Sequence, residues 1–355
     1  MNYIKKTIRW KITILFLLLL TFISIIISAS IGPVYIPYST VFNILLHDAF
    51  NRIHAVIPFI ENPIIPYWSS GFETIVMDIR YPRILLSILV GAALATSGAT
   101  MQGLFKNPMA DPFIIGTSAG AAFGATLTIW LGLAFFGIYT LPFMAFIGAT
   151  GAIFIVYNIA KIGGKVPIET LLLSGIAIGS FLSAMTSFMI YMAGEELRMI
   201  VMWLMGGFAV VRWEEVHIMF IPTLIGISII YFFARDLNIM LLGEEEALHL
   251  GIGVESFKKI MLVITAFITA LAVSFSGLIG FVGLVIPHVV RIVVGSDHRI
   301  LIPASALVGG IFMLWCDNIA RTIMPPHELP VGIITALFGA PFFIYLLRKR
   351  KNSMF

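Results

Sequence analysis

The feature that most constrains this chain is the recurrence, along nearly its whole length, of apolar runs close to 20 residues long. The first, ITILFLLLLTFISIIISASI at 12–31, holds no charged residue. A run of that length matches the thickness of a bilayer's hydrocarbon core. Hydrocarbon offers the backbone no hydrogen bonds, so only helices and closed barrels cross it, and barrels are built from short alternating strands. The runs therefore predict an all-α polytopic membrane protein. Composition agrees: 11% of residues are charged and 59% hydrophobic, with mean hydropathy +1.02, against about 25% charged in soluble domains.

Ten spans are predicted, near 12–31, 83–105, 113–133, 141–160, 168–192, 216–234, 260–275, 281–295, 301–320 and 331–347, within a single domain, 1–355. The main interruptions are 32–82, a loop with room for a short helix at 38–50, and 235–259. Ser28-Ala29-Ser30 resembles a signal-peptide cleavage site, but the run before it is long for one, which favours a retained first helix. The segment 197–211 is short for a span. With both termini on one side, sixteen of the 22 Lys and Arg fall on that side. Six (Arg52, Arg80, Arg83, Arg198, Arg212 and Arg321) fall on the other. Such a bias marks the termini side as cytoplasmic in a multi-pass protein of the cell membrane. A crossing at 197–211 would reverse it, so a short helix at or dipping into the outer surface is expected there.

Small residues recur every four positions: Gly91, Ala95, Ala99 and Gly103; Gly116, Gly120 and Gly124; and Gly332, Ala336 and Ala340. Four residues is about one helical turn, so each set makes a smooth stripe on which another helix can pack closely. Between the first two lies KNPMADP, residues 106–112. Pro108 and Pro112 disfavour helix at Asn107 and Asp111, and Asp111 can cap a helix starting at Pro112.

Several functions find no support. No phosphate loop is present, and Gly251-Ile252-Gly253 follows no strand. The seven histidines and single Cys316 form no metal-binding or disulfide pattern, and no catalytic triad is apparent. The net charge of +4 comes from basic residues scattered at span ends, not from a nucleic-acid footprint. An ion-coupled secondary transporter is the alternative function, but such proteins carry ionisable groups inside their spans, and spans one to five are almost free of them. Asp317 and Arg321 read most simply as a surface pair. LLGEEEALHLGI, residues 241–252, reads as a short amphipathic helix. Leu241, Leu242, Leu248 and Leu250 need the membrane body or a partner to cover them.

Together, RYPRILLSILVGAALATSGATMQGLFKNPMADPFIIGTSAGAAFG, LLLSGIAIGS, MWLMGGF, LGEEEALHLGI, GLIGFVGLVIPHVVRIVVGSDHR and ELPVGIITALFGAPFFIYLL, in this order, resemble the permease subunit of ABC importers for iron-siderophores, haem and cobalamin. The resemblance covers Arg80 to Leu347 and implies a type II ABC importer permease: ten helices with an inverted pseudo-repeat, working as a homodimer. It implies two ATPase subunits that use ATP-Mg on the cytoplasmic face and an extracytoplasmic substrate-binding protein. This chain would bind no cofactor and perform no catalysis. By the family's motifs, Arg80, Arg83 and Arg321 dock the binding protein, as the planar guanidinium suits carboxylates. Asn107 and Met109, with Pro167 and Ile168, form the cytoplasmic gate. The segment with Leu242, Gly243, Glu244, Ala247, Leu250 and Gly251 couples to the ATPase.

Overall fold

A computed structural model describes residues 3–352. It is helical nearly throughout. Helix α1 is Tyr3–Ser30, 28 residues long. Next come α2 (Tyr38–Val56), α3 (Ser70–Thr74) and a π-helical turn, Ile75–Arg80, that runs straight into α4 (Tyr81–Leu104). Then follow α5 (Thr117–Trp130), α6 (Thr140–Ala160), α7 (Ile168–Met192), α8 (Leu197–Met205) and α9 (Trp213–Phe232). Two short helices, α10 (Ala234–Met240) and α11 (Glu244–His249), precede α12 (Val254–Ser276), α13 (Val282–Val294), α14 (His298–Thr322) and α15 (Val331–Asn352).

Among the described residues, seven helical stretches are long and apolar enough to cross a membrane. The predicted spans at 113–133 and 281–295 are filled by shorter helices, α5 with 14 residues and α13 with 13. Helix α8 has nine residues, too few to span. The expected loop at 32–82 is instead largely helical. The face of α2 carrying Thr40, Val41 and Ile44 is buried, against an apolar cluster that includes Ala29, Val76 and Ile84.

Helix α4 organises the rest. It is apolar all round and buried along nearly its whole length, as expected of a helix enclosed by others. Helices α14, α12, α13 and α9 surround it. Its approach to two of them leaves no room for side chains. A Cβ on Gly91 would overlap the Gly309 carbonyl of α14, and a Cβ on Gly309 would overlap that of Gly91. Ala95 lies beside Gly309, and Gly103 faces the ring of His298, so the stripe from Gly91 to Gly103 runs along α14. One turn round, a Cβ on Gly98 would overlap the backbone of Gly283 on α13.

A second seam joins α5 to α6, where Gly120 faces Gly148 and Gly124 faces the carbonyl of Met144. Gly116 faces the same helix one turn on, at ordinary contact distance from Ala152 and Val156 of α6, and also turns the chain. It precedes α5 with φ +88°, a left-handed conformation that glycine adopts without strain. Gly332, at the start of α15, meets the Met205 carbonyl at the end of α8.

Since the obstacle at Gly98 is backbone, a side chain there must push two helices apart. Gly98→Ala is expected to cost about 1–3 kcal/mol, read as a lower unfolding midpoint in detergent. Gly151→Ala, with no atom within 4 Å of the added Cβ, is expected to leave the midpoint unchanged or slightly raised.

Candidate functional site

At the end of the bundle opposite the termini, three arginines and Asp317 form a buried cluster, with Glu328 at its exposed edge. The last carbonyls of a helix lack partners within it, and two guanidiniums serve those of α1. Arg80 donates to Ala29 O at 2.6 Å, Ser30 O at 3.1 Å and Val34 O at 2.5 Å. Arg321 donates to Ser28 O at 2.6 Å, to the Ser28 hydroxyl at 3.1 Å and to Asn318 Oδ1. The cations also suit the negative end of the helix dipole. Arg83 sets its fork on Asp317, Nε to Oδ2 at 2.9 Å and Nη2 to Oδ1 at 2.7 Å. Its Nη1 reaches Glu328 Oε2 at 2.9 Å.

This corrects two expectations. Asp317 and Arg321 are no surface pair: both are buried, and Asp317 belongs to Arg83. The three arginines do not stand on an outer surface either. Their side chains turn inward because α1 carbonyls and Asp317 would otherwise be buried without partners. Arg83 alone keeps an opening, since Glu328, its second partner, is 41% exposed.

That opening leads to a cavity of about 630 Å³ whose lining includes Arg83, Arg198, Trp203, Phe275, His327 and Glu328. Its frame is made where three helices meet. Gly207 N–H donates to Ser276 O at 2.8 Å and Val331 N–H to Gly206 O at 2.9 Å, joining the ends of α8 and α12 to the start of α15. Sequence reasoning did not single out Arg198, Trp203 or His327, which are brought together only by this junction.

At the termini end, the turn between α4 and α5 is built from side chains that imitate backbone. Asn107 Oδ1 accepts from Met109 N–H at 3.0 Å, and Asp111 Oδ1 from Phe113 N–H at 2.8 Å. Asp111 does not cap α5, because Gly116 delays that helix to Thr117, whose hydroxyl donates to Pro112 O at 2.6 Å. Burial pushes the Asp111 carboxyl up to about 6, with the hydrogen bond from Phe113 opposing it. Pro167 stands at the N-cap of α7 and Ile168 is its first residue. Among the described residues no hydrogen bond or ion pair joins this pair to Asn107 or Met109.

In the segment 235–259, Gly243 precedes α11, and Glu244 Oε1 meets Lys258 Nζ at 2.6 Å. Ala247 is fully buried, whereas Leu242, Leu248 and Leu250 are 66%, 63% and 61% exposed. The membrane body thus covers α11 on its alanine side and leaves these leucines bare; Gly251 is exposed beside them. Regular α12 begins at Val254, so the segment ends inside the first turns of a long helix.

A second knot at this end was not foreseen. Asp297, the N-cap of α14, accepts from Arg299 N–H and side chain, from Asn238 of α10 and from Lys6 of α1. The Arg299 guanidinium, first among these donors, holds its carboxyl well below the usual range. An acid before a helical run was the available signal.

The bundle, its glycine seams and a cavity at one end define a membrane permease. A search of family models matches residues 19–349 to the FecCD transport family, and the chain belongs to that family. It is 49% identical over 280 residues to the cobalamin import system permease of Halobacterium salinarum, covering 79% of this chain and 74% of that one. It is 35% identical over 345 residues to the haemin transport system permease of Yersinia pestis, covering 95% and 96%. A solved structure of a metal-chelate type ABC transporter in an inward-facing conformation superposes with TM-score 0.81 at 33% identity, covering 95% of this chain and 98% of that one. The chain is the permease subunit of a binding-protein-dependent ABC importer and not itself an enzyme; the ion-coupled alternative falls away.

Two outcomes follow from the polar geometry. Arg80→Met takes the guanidinium from the buried carbonyls of Ala29 and Ser30, of which Ser30 keeps the Ile36 N–H, and is expected to lower stability by about 1–3 kcal/mol. Arg83→Met leaves the Asp317 carboxylate buried and unpaired, an expected loss of about 3–5 kcal/mol that Arg83→Met with Asp317→Leu largely recovers. Both are read by thermal unfolding in detergent. For Asp111, the folded-state value lies above the unfolded one, so the folded state holds the proton more tightly. Its contribution to stability therefore falls as pH rises from about 4 to about 6 and stays low above that. Asp111→Asn is expected to flatten that part of the stability–pH curve.

Proposed function

We propose that two copies of this chain form the translocation path of an ATP-driven importer whose substrate is a metal chelate of the corrinoid class. Both termini lie in the cytoplasm. Two ATPase subunits, which use ATP-Mg, sit on the termini end, and a substrate-binding protein delivers its cargo to the opposite end. The charge bias of the loops supports the orientation. The observation that carries the assembly is the row of bare leucines, Leu242, Leu248 and Leu250, beside buried Ala247. An apolar face held out at the termini end fits a groove on a soluble partner. The 49% identity to a permease named for cobalamin import supports the corrinoid; haem is the second choice, from the relative named for haemin transport.

Roles follow. Leu242, Gly243, Glu244, Ala247, Leu250 and Gly251 form the coupling contact. Asn107 and Met109 in one turn, with Pro167 and Ile168 in the other, close the cytoplasmic end of the path in the dimer. ATP binding to the partner biases an equilibrium between two packings, and the two turns open or close accordingly. Of the three arginines, Arg83 is the docking residue, because it alone lines the cavity. A carboxylate of the binding protein takes the place of Glu328 on Nη1, while Asp317 keeps the other side of the fork.

The complex in liposomes, supplied with binding protein, is expected to accumulate cyanocobalamin only when ATP is present on the ATPase side. Uptake driven by an ion gradient without ATP overturns the reading; uptake of haemin but not cyanocobalamin overturns the substrate. If a carboxylate competes for Arg83, Glu328→Gln tightens capture of the binding protein severalfold. Unchanged affinity removes Arg83 from docking.

A further inference from the structure

Lys258 is the one lysine in the buried set of described residues. It stands in the first turns of α12, on the face that also carries Glu255 three residues earlier. Its ammonium lies 2.6 Å from Glu244 Oε1, at the start of α11, and 3.3 Å from Glu255 Oε1. The other oxygen of Glu255 is also engaged: Oε2 accepts the N–H of Val166 at 3.1 Å. Val166 is buried and adjoins Pro167, the N-cap of α7. Its turn is short and tight, closed by the reciprocal backbone bonds of Ile162 and Lys165.

Two consecutive helices, α11 and the root of α12, therefore meet the distant turn before α7 on one ammonium and one carboxylate. We propose that Glu244, Lys258, Glu255 and the Val166 amide form a polar link through which displacement of α11 moves the turn at 161–167, with Lys258 its positioning residue. The proposal rests on the importer reading for what displaces α11, but the link itself is a property of this chain.

The physical argument has two parts. An ammonium withdrawn from water needs its carboxylates, so α11 cannot move away from α12 without either dragging Lys258 and Glu255 along or leaving a charge unpaired. Glu255 joins the two sides because its two oxygens face different partners. When Glu244 leaves, Lys258 is drawn wholly onto Glu255 Oε1, and Oε2 shifts or releases Val166. Asp297 at the same end ties α14 to α1 and α10, not to α7. The exposed Glu245 and Glu246 are not part of the link and stay available at the α11 surface.

The test uses the assembled transporter in liposomes and, separately, the permease alone in detergent. In the permease alone, Lys258→Met and Glu255→Gln are expected to speed amide hydrogen exchange over 161–167 at least tenfold, with exchange in the α4 core unchanged. In the complex, Lys258→Met is expected to assemble and hydrolyse ATP but import at least fivefold fewer substrate molecules per ATP, and Lys258→Arg to restore the ratio to within twofold. ATP should alter exchange over 161–167 in the wild type and not in Lys258→Met. Wild-type exchange in the permease and a wild-type import ratio in the complex overturn the link. If Lys258→Met does not assemble, Glu255→Gln decides by the same two readings. A wild-type complex that imports nothing with ATP rejects the importer reading instead, and the exchange of the permease alone still decides the link.

Discussion

The architecture depends on backbone-to-backbone packing along α4. A membrane gives packed helices no hydrophobic gain over lipid, so stability there comes from close van der Waals contact and from polar groups matched inside the bundle. Gly91 against Gly309 and Gly98 against Gly283 supply that contact on two faces of one helix. With α13 and α14 held so near, α4 has no lipid-facing side, and the helices around it take their positions from it. The looser surfaces lie elsewhere: Leu173, Ile176 and Phe181 of α7 and Leu337 and Phe338 of α15 are exposed in the single chain.

Polar groups pin the ends of this core. Arg80 and Arg321 take up the last carbonyls of α1, and Asp317 anchors Arg83 between α4 and α14. At the other end, Asp297 gathers α1, α10 and α14. Arg80, Arg83, Arg321 and Asp317 are buried with their partners, a costly arrangement to break one member at a time. The parts proposed to move are attached through fewer bonds: the 107–113 turn is held largely by its own side chains, and the 161–167 turn by the Glu255 contact.

Much of the fold was legible in the sequence because its signals are local. Apolar run length marks the helices, and a four-residue spacing marks the face of α4 that meets α14. The same spacing gave no sign of the left-handed turn at Gly116, and it passed over Gly98, whose partner on α13 lies 185 residues away in the chain. Charges were the least legible. Arginine at a helix end looks identical whether it faces a partner protein or a carbonyl of α1, and only the fold decides. Lys258 and Lys259 are neighbours in the sequence, and burial of the first and exposure of the second is set by which face of α12 meets the bundle.

The molecule thus divides into a close-packed core of α4, α13 and α14 and the peripheral turns proposed to respond to the ATPase. Pulsed electron-spin distance measurements on the assembled transporter test this most directly. Nitroxides at Ile79→Cys and Met324→Cys, both exposed positions flanking α4 and α14, report the core. A pair at Lys165→Cys, one in each copy, reports the turn. With and without ATP, the core distance is expected to stay the same while the Lys165 distance changes. A core distance that shifts with nucleotide, or a Lys165 distance that does not, contradicts the account.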